Sequence, residues 1–183
     1  MVIQDLDRAA YFLDSFLSDL NELPLREKIN IDDNGKATTI IDEKIEPLTL
    51  DAKQTIYMAK KLYQRVQSIP RKAVNSSFLK YFRLISENAR KISKKMIQLL
   101  SDSSWFSILA RPVLKKGATA INLFINSING VFDEINDCIP DRNYQITKVP
   151  EHKWNIIKAT QLEREERQQK IRLRDYVPPS QLI

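Results

Sequence analysis

Between residues 78 and 99, Phe78, Phe82, Ile85, Ala89, Ile92, Met96 and Leu99 step by four and three without a miss. That repeat is the period of an α-helix with one buried stripe, and a strand cannot bring it to one face. A later segment keeps the same step through Leu114, Ala118, Ile121, Ile125, Ile128, Phe132, Ile135 and Ile139, with Leu123, Phe124 and Val131 widening the stripe. A helix apolar over so much of its circumference needs neighbours on several sides, so it belongs near the centre of the fold. Pro112 suits its first turn, where the missing N–H has no intrahelical partner, and Pro140 ends it.

Two more stripes precede these. Leu6, Ala9, Leu13, Phe16, Leu17, Leu20 and Leu23 predict a helix over residues 3–22 that Pro24 stops. Ala52, Ile56, Ala59, Leu62, Tyr63 and Val66 predict another, capped by Asp51 and closed before Pro70. Between them, β-branched residues flank Asn34-Gly35, a dipeptide that readily takes the positive φ of a tight turn, so a small β-hairpin is expected near residues 28–42. A calcium loop through Asn30, Asp32, Asn34 and Gly35 fails because Ile41 stands where the bidentate carboxylate is needed. Ser101 to Ala110 suggests a short connecting helix with Trp105 and Phe106 as anchors.

With only 3 glycines in 183 residues, tight-turned sandwiches and barrels are disfavoured. The expected fold is mainly α: a bundle of four or five helices over residues 1–150, then a charged, projecting C-terminal helix and an extended tail over residues 151–183. Cys138 is the single cysteine, which excludes an intramolecular disulfide and points to a reducing cytoplasm. No signal-peptide pattern opens the chain, and no run of about 18 uncharged apolar residues is long enough to span a bilayer.

Charge is distributed in blocks. Residues 1–51 hold 12 acids and 5 bases, whereas residues 52–101 hold 12 bases and the single acid Glu87. On a helical projection of about 100° per residue, Lys80, Arg83, Arg90, Lys91, Lys94 and Lys95 share the side opposite the Phe78–Leu99 stripe. Arg90/Lys94 and Lys91/Lys95 are like pairs one turn apart that repel by several tenths of a kcal/mol, so something should offset them. The offset could be the dipole at a nearby helix C-terminus, the protein's own acidic first third packed alongside, or an external polyanion. Lys60, Lys61 and Arg65, with Lys53, extend the basic block onto the preceding helix, where Tyr57, and Tyr81 after it, offer rings for stacking on bases.

Chemistry has few candidates. The chain has one histidine, His152, at an expected helix start, and one cysteine, where a small buried hydrophobe is the usual role. The isolated Gly35, Gly117 and Gly130 make no phosphate-cradling loop. Asp133 and Asp137, with Glu134 and Asp141, would be a metal site only with further partners. No catalytic residue, cofactor or metal is therefore assigned. The expectation is a non-enzymatic binding or adaptor protein that docks on a protein partner through the basic face and through a C-terminal arm carrying Arg164, Arg167, Ile171, Leu173 and Tyr176. Nucleic-acid binding without base-specific motifs is the alternative. A further one is attachment to a membrane surface through residues 103–131, with Trp105, Phe106, Arg111, Lys115 and Lys116.

Overall fold

A computed structural model of the chain describes residues 1–22, 30–31, 33–35, 37–38, 41–69, 76–101, 111–150, 167–168 and 170–172. It separates into two compact units, Met1–Glu151 and His152–Ile183. The first holds helices α1 (Val2–Glu22), α2 (Glu46–Gln67), α3 (Ser76–Ser101) and α4 (Arg111–Asp137). In the second, the described residues between 167 and 172 are helical. Of the connecting helix expected over residues 101–110, Ser101 is instead the last residue of α3 and residues 102–110 lie outside the described residues, as does most of the expected C-terminal arm.

The hairpin expected near residues 28–42 is not supported as an element of the fold. Backbone pairing is limited to β1 (Asn30–Ile31) and β2 (Ala37–Thr38), in the antiparallel register Asn30↔Thr38 and Ile31↔Ala37. Two residues a side, with no further strand in the sheet, are too few to stand as an independent element. Gly35 does take the left-handed conformation, with φ 76°. The β-branched residues beyond it are used at helical spacing instead: Ile41–Ile45 is a π-helical turn, and both isoleucines are buried four positions apart. That turn runs straight into α2, which begins five residues before the expected cap at Asp51 and carries Pro47 in its first turn. Proline is pre-shaped for that position.

All four stripes turn inward. Leu6, Ala9, Leu13, Phe16 and Leu20 of α1, Ala52, Ile56, Ala59 and Tyr63 of α2, Phe82, Ile85, Ala89 and Met96 of α3, and Ile121, Phe124, Ile125, Ile128 and Phe132 of α4 are buried together. Packing runs round a ring: α1 lies on α4 and α2, and α3 lies on α2 and α4. Cross-links give the directions. Asp7 and Asp14 of α1 meet Lys60 and Lys53 of α2, and Asp19 near the end of α1 meets Lys116 near the start of α4. Helix α1 therefore runs antiparallel to both α2 and α4, as in an up-and-down bundle. None of the described helices is long and apolar enough to cross a membrane.

Past α4, Asp141 caps a 3-10 turn, Arg142–Tyr144, by accepting from the Asn143 N–H at 2.9 Å. Residues 145–150 then run without helix or strand, bonded to both α3 and α4. Ile146 and Val149 are buried, and Thr147 and Lys148 between them are exposed. A repeat of three is that of a polyproline-II helix, and Gln145 at its start has φ −66° and ψ 148°.

The approach of α1 to α4 at Phe16 depends on Gly117 of α4. A Cβ there would lie 2.6 Å from the buried Phe16 ring of α1, whereas one at Gly130 would meet nothing within 4 Å. The two glycines should respond oppositely to alanine. Gly130→Ala is expected to stabilise by about 0.5–1 kcal/mol through helix propensity. Gly117→Ala meets overpacking of about 1–3 kcal/mol and is expected to lower Tm by several degrees in thermal denaturation.

Tyr63 supplies a pH test of the α2–α4 seam. Its hydroxyl donates to the Glu134 carboxylate and accepts from Gln67 Nε2 at 2.7 Å. Burial, and then the hydrogen bond to Glu134, push the phenol from its ordinary 10.0 up to about 12. A raised pKa means the folded chain holds the proton more tightly, so this contribution is complete below pH 10.0 and is lost as pH rises through about 12. Comparing Tm against pH for the wild type and Tyr63→Phe is expected to show a steeper loss in the wild type within that window.

Candidate functional site: a basic face on α3

Lys80, Arg83, Arg90, Lys91, Lys94 and Lys95 are all exposed on the outer side of α3. Buried Phe82, Ile85, Ala89, Ile92 and Met96 turn the helix inward, so the cations can only face out. From Lys80 to Lys95 the face is about 22 Å long, at a rise of about 1.5 Å per residue. Tyr81 and Leu84 are exposed at 56% and 45% on the same helix, which places two apolar side chains beside the charges.

The dipole does not offset this face. Helix α3 continues to Ser101, and its last turn holds no basic residue, so Lys91, Lys94 and Lys95 sit too far from the terminal carbonyls. Nor do the acids of α1. Asp14 pairs with Lys53 at 2.7 Å, Asp7 with Lys60 at 2.8 Å and Asp19 with Lys116 at 2.5 Å, all across the two sides where α1 has neighbours. Among the described residues, Lys80, Arg90, Lys91, Lys94 and Lys95 form no ion pair. Arg83 differs, donating from its guanidinium to the Tyr144 carbonyl at 3.3 Å.

The expected extension onto α2 is divided. Lys60 is committed to Asp7, and the Lys61 ammonium stands 5.5 Å from the centre of the Tyr57 ring, the ring offered for base stacking. Arg65 is exposed. In the second unit Arg167 and Ile171 are exposed one helical turn apart, while Arg164, Leu173 and Tyr176 lie outside the described residues.

Other candidates take structural roles. Asp133 pairs with Lys148 at 3.0 Å, Glu134 accepts from Tyr63, and Asp141 caps the 3-10 turn. No group of three or more His, Cys, Asp or Glu among the described residues is placed to hold a metal ion. The apolar side of α4, needed for a membrane-surface role, is spent on the core; Trp105 and Phe106 lie outside the described residues, as does the Arg111 side chain, while Lys115 is exposed and Lys116 is paired with Asp19.

Three side chains important to the surroundings of this face were not singled out from sequence. Asn129 and Asn136 of α4 and Ser86 of α3 hold residues 145–150 by their backbone. The legible signal was two asparagines seven apart on one edge of an apolar stripe, followed by branched residues three apart in Ile146-Thr147-Lys148-Val149-Pro150.

No protein-family model, curated protein or solved structure matches this chain.

Proposed function

We propose that this is a non-enzymatic helical binding protein that docks on an acidic protein partner through the outer face of α3. The observation that carries the reading is a face of cations without ion pairs among the described residues, on the helix diagonal to the acidic α1. Like charges a turn apart raise the energy of the free protein, and an acidic partner relieves that repulsion as it binds. Tyr81 and Leu84 supply the apolar contact that a protein surface can bury and a phosphate backbone cannot. Arg167 and Ile171 serve as a second contact from the C-terminal arm. The reducing cytoplasm is the proposed setting, on the strength of the single cysteine.

Nucleic acid is the second reading, favoured by the length of the basic face and weakened by Lys61 standing over Tyr57. Fluorescence anisotropy with a labelled acidic polypeptide and with labelled single-stranded nucleic acid, each at about 50 and about 200 mM salt, separates the two. The expected result is tighter binding of the acidic polypeptide, weakened at least tenfold by Lys91→Glu/Lys94→Glu and measurably by Leu84→Ser, with Tm little changed. No binding at low salt, or binding indifferent to charge reversal, overturns the reading. Preference for nucleic acid, with a salt slope that falls by about one for each lysine removed, would install the second.

A further inference from the structure

The segment after α4 is held as a bound peptide is held. Asn136 donates from Nδ2 to the Ile146 carbonyl at 3.0 Å and accepts from the Ile146 N–H at 2.7 Å. Asn129 does the same for Val149, at 2.9 and 2.8 Å. Each amide thus closes a two-bond pair with one residue's backbone, as a neighbouring strand would. The spacing fits: seven helical residues advance about 10.5 Å, and three residues at the polyproline-II rise would advance about 9.3 Å. From the α3 side Ser86 donates its hydroxyl to the Thr147 carbonyl, and Arg83 reaches the Tyr144 carbonyl.

This arrangement reads the segment at two side-chain positions, Ile146 and Val149, and elsewhere holds it by its backbone. Backbone groups are captured whatever the side chains are, the Ile146 and Val149 side chains are buried, and Thr147 and Lys148 are exposed. Backbone capture of an extended chain with anchors three residues apart is a general mode of peptide recognition. Here the occupant enters from the exposed Pro140–Gln145 stretch and leaves at Pro150, one residue before the first compact unit ends.

We propose that the groove between α3 and α4 is a recognition site for an extended peptide with branched aliphatic residues three apart and a proline after the second, and that residues 145–150 are its resident, exchangeable occupant. The partner is a protein segment of that pattern. Its entry displaces the strap and adds residues 141–150 to the link leading into the second unit. The proposal stands apart from the basic face and does not depend on it.

The test uses the full chain and a fluorescent peptide with the sequence of residues 141–150. Ile146→Asp/Val149→Asp empties the groove, and this variant is expected to bind the peptide saturably, at least tenfold more tightly than the wild type with its groove filled. Adding Asn129→Ala/Asn136→Ala is expected to weaken that binding at least tenfold. The milder Val149→Ala chain, which adds no charge, is expected to fall between the two. Absence of saturable binding by a variant whose helical circular dichroism is intact overturns the proposal, as does binding indifferent to the asparagine changes. Loss of the helical signal in both strap variants also overturns it, because the strap would then be part of the folding core.

Discussion

Four helices that each carry one apolar stripe bury those stripes together by closing into a ring, and the ring gives every helix two neighbours and one diagonal. Here α1 has α2 and α4 beside it, with α3 across the core. Everything notable about charge follows. An acid on α1 reaches lysines on α2 and α4 within 2.8 Å, while the cations of α3 are separated from it by the buried side chains of the whole bundle. Exposed ion pairs of this kind contribute little stability each. Their larger effect is to use up the described acids of α1 that face a neighbour.

The same ring explains why α4 is apolar over so much of its circumference. It packs on α1 and α3 and touches α2, so its stripe is wide, and Gly117 leaves room where the Phe16 ring comes in. At the opposite edge its two asparagines interrupt what would be more apolar surface. Polar side chains at a half-buried edge need partners, and the backbone of residues 146 and 149 gives each asparagine one donated and one accepted bond. The strap therefore completes the outer side of the α3–α4 seam.

Much of the fold was legible because helical periodicity is a local property. The stripe from Phe78 to Leu99 and the one from Leu114 to Ile139 follow from spacing alone, and their members are the residues found buried or half-buried. The region of residues 28–42 was harder, since β-branched residues around Asn34-Gly35 satisfy strand and helix patterns alike over so short a span. Strand pairing stops at two residues a side, and Ile41 and Ile45 are buried from a π-helical turn. Asn129 and Asn136 were passed over because their meaning depends on a segment that lies beyond a proline and folds back.

Sequence by itself determined four amphipathic helices, their faces, the outward direction of Lys80 to Lys95 and the inventory of acids and bases, because each of these depends on residues within a few positions of one another. Tertiary structure alone decided which acid meets which lysine. Ring order is a property of packing, and it placed Asp7, Asp14 and Asp19 against Lys60, Lys53 and Lys116 and left the α3 cations facing outward. It likewise decided that Ile146 and Val149 lie in a groove, since that contact joins side chains on α4 to a backbone that has turned back along it.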